Sequence, residues 1–189
     1  HGRIGPPIPN VSVQIRGEEG PVLGPGKVGE LVVKGQNVMR GYWNYPEATA
    51  AAFMEDGWLR TGDLGSIDED GYIFLVDRAK DLVIVKGLNV YPREVEEVLL
   101  EHPSVADAAV IGVPDHTGDE TLRAYVVLKE GASATPDELL GLFKDRLARY
   151  KTPRAVIVLD QMPTNTLGKT LKRVLREQAR EEIAGGRCG

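Results

Sequence analysis

Apolar and polar residues alternate with a period of two in the first part of this chain and with mixed periods in the second. Val11-Ser12-Val13-Gln14-Ile15 predicts a strand over 11–15, and Gly29-Glu30-Leu31-Val32-Val33-Lys34-Gly35 predicts another over 29–35. Both lie among Gly and Pro, and two short strands bury no core by themselves, so they must pack on something else. Pro46 suits the first position of an Ala-rich helix over 47–54, which Asp56-Gly57 ends. Asp70-Gly71 between the apolar runs 64–67 and 72–76 reads as a hairpin. A charged break, Asp77-Arg78-Ala79-Lys80-Asp81, then interrupts the apolar pattern. Beyond it come a short strand over 82–85, a Lys86-Gly87 turn and a helix opened by Pro92. That helix places Val95, Val98 and Leu99 on one face and is stopped by His102-Pro103. Largely apolar strands follow over 105–113, 122–128 and 155–159. Thr135-Pro136-Asp137-Glu138 has capping-box spacing ahead of Leu139, Leu140, Phe143 and Leu147, which recur at helical spacing. A last helix from about Thr170 turns Leu171, Val174, Leu175 and Ile183 inward.

The change of pattern at the charged break divides the chain into a β-rich part, 1–79, and a compact α+β part, 80–189, so the fold class is α+β. The second part alone has the usual size of a domain. With 42% hydrophobic residues among 189, the chain has material for a real core. Its 23 Lys and Arg against 28 Asp and Glu give a net charge of -5, and no basic run interleaves with aromatics, so nucleic acid is disfavoured as a partner. A local basic pocket for a small anion remains compatible with that balance. The single cysteine, Cys188, permits no intramolecular disulfide or cysteine metal cluster and fits a reducing, cytoplasmic setting. His1, His102 and His116 lack metal-ligand spacing, and no metal site is encoded. No apolar run approaches the roughly 20 residues that span a bilayer. Residues 1–7 lack both signal-peptide anatomy and an initiator Met, which fits a fragment or a processed product.

Four features stand apart from the packing pattern. Asp63, in Thr61-Gly62-Asp63-Leu64-Gly65, reads either as a turn residue between glycines or as a carboxylate that accepts from two neighbouring hydroxyls, as on a ribose. Arg78 suits phosphate or ribose oxygens, or else a surface ion pair with Asp77 or Asp81. Lys80 stands at the boundary itself and is otherwise a solvated lysine. Lys169 follows a polar loop, Pro163-Thr164-Asn165-Thr166-Leu167-Gly168, that fails the Walker pattern because position 163 is Pro where Gly is needed. A lysine at such a loop tip is a point charge for a phosphoryl group or a solvent-facing residue. The aromatic cluster Tyr42-Trp43-Asn44-Tyr45 is read as packing.

Taken together these stretches resemble the C-terminal part of an adenylate-forming (AMP-binding) acyl-CoA synthetase of the long-chain-fatty-acid–CoA ligase type. Gly41-Tyr42-Trp43-Asn44 with Pro46-Glu47-Ala48-Thr49 is similar to the segment before that family's adenylate site. Asp56-Gly57-Trp58-Leu59-Arg60-Thr61-Gly62-Asp63 is similar to its ribose-binding signature, and Asp77-Arg78-Ala79-Lys80-Asp81 to its domain hinge. Gly87-Leu88-Asn89-Val90-Tyr91-Pro92 resembles the loop that follows the hinge, and Pro163 through Lys169 to Arg173 the catalytic-lysine motif. The resemblance implies that 1–79 is the β-rich end of a large adenylate-binding domain and 80–189 a mobile lid hinged at Lys80. It further implies that Asp63 and Arg78 bind nucleotide, that Lys169 is catalytic, and that Lys86, Gly87 and Leu88 face the CoA thiol, Gly87 leaving its path open. The substrates implied are ATP, a fatty or other carboxylic acid, and CoA, with AMP and diphosphate released. Mg2+ is expected for the complete enzyme, its ligand lying outside this chain. Nothing here resembles the family's phosphate loop, adenine pocket or acyl pocket, so the chain alone is expected to be inactive. The alternative is a non-catalytic lid module that docks on a separate large domain.

Overall fold

Strand β2, Val11–Arg16, and strand β3, Gly29–Gly35, pair antiparallel with Val13 opposite Val33. The neighbours these strands need are supplied by β4, Leu59–Ile67, and β5, Ile73–Arg78, and by a three-residue strand β1, Arg3–Gly5, in a stretch whose Gly and Pro content conceals it. The result is a five-stranded sheet in the order β1-β5-β4-β3-β2. Ile15, Leu31 and Ile73 are buried on it, with Val13, Leu23, Val33, Ile67 and Leu75 packed around them. The computed structural model describes residues 2–18, 20–115 and 117–184; His1, His116 and Cys188 lie outside the described residues.

The chain forms two compact units, His1–Lys80 and Asp81–Gly189. Within the first, helix α1, Pro46–Ala52, is shorter than its composition predicts. Phe53 leaves the helix to pair with Leu59, and the Met54 amide donates to the Trp58 carbonyl at 2.8 Å, so strand geometry wins over Ala propensity. The hairpin between β4 and β5 is longer than a two-residue Asp-Gly turn. The Asp68 carboxylate accepts the amides of Asp70 at 3.1 Å and Tyr72 at 2.8 Å and holds a wider loop.

The second unit begins with a hairpin of β6, Val83–Val85, and β7, Leu88–Val90, joined only by Lys86 and Gly87. Both turn residues have positive φ, 50° and 76°, as a two-residue turn matched to strand twist requires. That requirement accounts for Gly87. Helix α2, Pro92–Leu100, buries Val95, Val98 and Leu99 as its pattern predicts. Strand β8, Val105–Pro114, pairs antiparallel with β9, Glu120–Leu128, and β10, Ala155–Leu159, adds in parallel on the far side of β9. The long crossover from β9 to β10 carries α3, Pro136–Gly141, whose capping box is present: the Glu138 amide donates to Thr135 Oγ1 at 3.2 Å. This helix stops at Gly141. Phe143 and Leu147 stay on the core side through a series of turns that includes Asp145 at φ 64°.

The three-stranded sheet is covered on both faces, which explains the nearly continuous apolar run of β8. Ala108 and Val110 face the cluster formed with α2, α3 and the β6–β7 hairpin. Ala109, Ile111 and Val113 face Leu175 and Ala179 of α4, Lys172–Ala184. Tyr125 is buried on this second face, its hydroxyl near the Arg123 guanidinium but without a well-formed hydrogen bond among the described residues. Burial pushes the Tyr125 phenol above its ordinary pKa, and the Arg123 guanidinium opposes this only in part.

Tyr125 yields a pH-dependent prediction. The unfolded phenol ionises near pH 10 whereas the folded one holds its proton, so stability falls as pH rises past about 10. Tyr125→Phe is expected to leave stability unchanged or raise it by up to about 1 kcal/mol at pH 8, since a buried hydroxyl without a well-formed hydrogen bond is removed, and to weaken the alkaline loss. Urea unfolding of both proteins at pH 8 and at a pH above about 10 measures this.

Candidate functional site

Thr61, Gly62 and Asp63 lie inside β4, and the turn expected from the glycines is corrected accordingly. Glu30 pairs with Leu64 and Val32 with Arg60, so these three residues stand opposite Leu31 alone and bulge from the sheet. Gly62, at φ 71°, permits the bend. The Thr61 hydroxyl fixes it by donating to the Leu31 carbonyl at 2.7 Å while accepting the Asp63 amide at 3.1 Å. Such a bulge re-aims one side chain, and here that side chain is Asp63.

Asp63 is the cross-strand partner of Arg78, and Arg78 Nε lies 2.8 Å from Asp63 Oδ1. The surface pair expected for Arg78 with Asp77 or Asp81 is thus replaced by one with another candidate residue. The Asp77 carboxylate instead accepts the Arg78 amide at 2.7 Å. With side chains 28% and 47% exposed, the Asp63–Arg78 pair is screened and worth at most about 1 kcal/mol to stability. Its arrangement leaves a carboxylate and a guanidinium side by side and reachable from solvent, a combination suited to a diol next to an anion.

The 3-10 turn Ala79–Asp81 follows Arg78 directly. Lys80 is exposed, whereas Asp81, 8% exposed, is the one buried polar or charged residue among the described residues. Its Oδ1 accepts from Arg176 of α4 at 2.6 Å, within the second unit. A buried carboxylate is costly unless paired, so this ion pair fixes the position of the chain at residue 81.

Lys169 lies on the returning arm of a tight loop closed by an antiparallel bridge between Thr164 and Thr170. It is exposed, and no ion pair engages it among the described residues. The amides of Asn165, Leu167, Gly168 and Lys169 all donate within the loop, so these four are spent on the loop itself and the Lys169 ammonium is the charged group the loop presents to an anion.

Lys86 lines a cleft of about 770 Å³ in the second unit, beside Arg149, Tyr150 and Arg154. Gly87 and Leu88 are exposed on the same hairpin. Arg154 has a distant partner in Asp115 at 3.7 Å, and the Glu120 carboxylate accepts the Ile84 amide at 3.0 Å. Lys86 and Arg149 have no ion pair among the described residues, which leaves the cleft with two free cations and an aromatic ring. Arg149, Tyr150 and Arg154 were not singled out from sequence. The signal was present in the basic run Arg149-Tyr150-Lys151-Thr152-Pro153-Arg154, but only folding brings it to residue 86. The packing expected of Tyr42, Trp43 and Tyr45 is not made among the described residues: all three are exposed, Trp43 at 86%. No group of three or more His, Cys, Asp or Glu side chains that could hold a metal ion comes together among the described residues. No helix among them is long and apolar enough to cross a membrane.

Comparison with known proteins gives two family matches: the AMP-binding enzyme model over residues 1–43 and the AMP-binding enzyme C-terminal domain model over residues 94–169. A long-chain-fatty-acid–CoA ligase of Bacillus subtilis is 48% identical over 181 residues, 95% of this chain and 32% of that protein. ATP-bound MatB from Rhodopseudomonas palustris superposes with a TM-score of 0.89 at 44% identity, over 94% of this chain and 35% of that one. The o-succinylbenzoate CoA synthetase MenE of Bacillus subtilis, solved with its acyl-adenylate intermediate, gives 0.84 at 43% identity over 93% and 35%. The chain spans about a third of the length of the curated relatives it matches.

The buried ion pair generates a stability prediction. Asp81→Asn is expected to destabilise the second unit by about 2 kcal/mol, because Arg176 loses its charged partner but stays partly solvated. Hydrogen exchange should show the loss in α4 and β8, with the sheet of the first unit unchanged.

Proposed function

The chain belongs to the AMP-binding enzymes, and on that premise we propose that it supplies the ribose contacts, hinge and mobile lid of an acyl-CoA synthetase. In the first half-reaction a carboxylate oxygen of a fatty acid attacks the α-phosphorus of ATP and diphosphate leaves. In the second the CoA thiolate attacks the acyl carbon and AMP leaves. The observation that carries this reading is the Asp63–Arg78 pair, held across two strands and directly followed by the boundary between the two units. Asp63 accepts from the ribose hydroxyls, and Arg78 donates to ribose or phosphate oxygens. Residues 1–79 then belong to the nucleotide-binding domain and residues 80–189 form the lid, with Lys80 as the pivot.

Lys169 would bridge the carboxylate and the α-phosphate. Negative charge grows on the phosphoryl oxygens as the bond to the carboxylate forms, and a nearby ammonium lowers the energy of that state more than the ground state. The lid then turns about Lys80, removes Lys169 and brings the Lys86-Gly87-Leu88 turn to the thioester-forming site. The cleft beside Lys86 suits the nucleotide end of CoA: Lys86 and Arg149 meet its phosphates, and the Tyr150 ring offers a stacking face for its base. Mg2+ would accompany ATP through ligands supplied elsewhere, and no step here is routed through it.

The activity is best read in a chimera in which this chain replaces the matching third of the Bacillus subtilis ligase. In it, Lys169→Ala should lower the adenylation rate by about 100-fold or more, the usual effect of removing one charge-stabilising donor. Thioester formation from preformed acyl-adenylate should be spared, and equal loss in both halves would count against the role. Arg149→Ala should raise the KM for CoA by about 10-fold, as expected for one lost charged contact, while ATP–diphosphate exchange keeps its rate. The 189-residue chain by itself should form no acyl-CoA, and steady turnover by the purified chain would contradict that.

A further inference from the structure

Both backbone polar groups of Lys169 are bound by one residue. Asn165 donates its amide to the Lys169 carbonyl at 2.9 Å, and its side-chain Oδ1 accepts the Lys169 amide at 2.8 Å. The same Oδ1 accepts the Leu167 amide at 3.0 Å, and the Asn165 carbonyl accepts the Gly168 amide at 2.9 Å. These bonds close a loop whose tip, Leu167, is fully in solvent and whose Gly168 has φ 76°. The base of the loop is tied down separately. The Leu171 amide donates to the Pro163 carbonyl at 2.7 Å, and Lys172 pairs at 2.7 Å with Glu96, which also accepts the Val110 amide of the sheet.

We infer that Asn165 is a positioning residue for Lys169, its side-chain carbonyl holding the peptide from which the free ammonium extends. A lysine has four rotatable bonds, so an exposed ammonium is placed only as well as its own Cα is placed. Here no other side chain holds the Lys169 peptide among the described residues, and the loop is too exposed for packing to do so. The amide type also matters. An aspartate would accept the same two amides, but its negative charge beside Lys169 would offset the charge the reaction uses. The inference rests on Lys169 acting in adenylation, as proposed above.

The test compares Asn165→Ala, Asn165→Ser, Asn165→Asp and Lys169→Ala in the chimeric ligase, with both half-reactions measured separately. Amide exchange at Leu167 and Lys169 is followed in the 189-residue chain. Asn165→Ala should unprotect those two amides and lower the adenylation kcat by about 100-fold, the effect expected of a displacement of about 1 Å, with thioester formation and melting temperature unchanged. Asn165→Ser, which keeps a short acceptor, should recover most of the rate. Asn165→Asp should keep the protection and still adenylate slowly. If Lys169→Ala abolishes adenylation while Asn165→Ala does not slow it, the inference is overturned and the role of Lys169 stands. If Lys169→Ala itself adenylates normally, the reading beneath the inference fails. Equal loss of both half-reactions in Asn165→Ala, with a lowered melting temperature, would show a general folding defect and overturn the inference too.

Discussion

Two ion pairs bracket the middle of this chain and leave almost nothing free between them. Arg78 is tied to Asp63 at the end of one sheet, and Asp81 is tied to Arg176 on the last helix of the other unit. Only Ala79 and Lys80 lie between. The two pairs differ in kind. The first is half in solvent and can exchange its partner for a ligand at little cost. The second holds the buried carboxylate of the described residues, where loss of the partner is expensive. A torsional change that leaves both units intact therefore has two residues in which to occur, and one of them is an exposed lysine with no packing to lose.

That arrangement gives the proposed chemistry its division of labour. The proposed ribose contact, Asp63, sits on the first unit, in a bulge built by Thr61 and Gly62. The groups proposed for only one half-reaction sit on the second unit: Lys169 on a loop closed by Asn165, and Lys86 on a hairpin beside a cationic cleft. α4 begins three residues after Lys169 and carries the Arg176 that grips Asp81. One helix thus links the loop to the proposed pivot, and the proposed rotation at Ala79-Lys80 would carry Lys169 with it.

Local periodicity made much of the fold legible. The Thr135 capping box, the buried face of α2 and the strands with long apolar runs are properties of neighbouring residues, and they appear where the pattern puts them. What the pattern hid depends on distant partners. β1 and β7 are three residues long and exist because β5 and β6 hold them. The Asp63 bulge is defined by the register of β3, and Arg78 finds Asp63 because of how β4 and β5 align. The cleft collects residues 85–86, 115, 120–121 and several from 149–154, a grouping that no spacing rule encodes. The family resemblance pointed to Asp63, Arg78, Lys80 and Lys169 together. The contribution of the structure is the physical setting of each, and the addition of Asn165, Arg149 and Tyr150.

The central claim is that the two units turn about residues 79 and 80 between half-reactions. The most direct measurement places one spin label on α1 and one on α4 of the chimeric ligase and records their distance distribution by pulsed dipolar spectroscopy. The account predicts one narrow distribution with ATP and a non-reactive fatty-acid analogue. It predicts a second, clearly displaced one with a stable acyl-adenylate analogue and CoA, and Lys80→Pro should hold the protein in the first. The same distribution under both conditions, in an enzyme that completes both half-reactions, would contradict it.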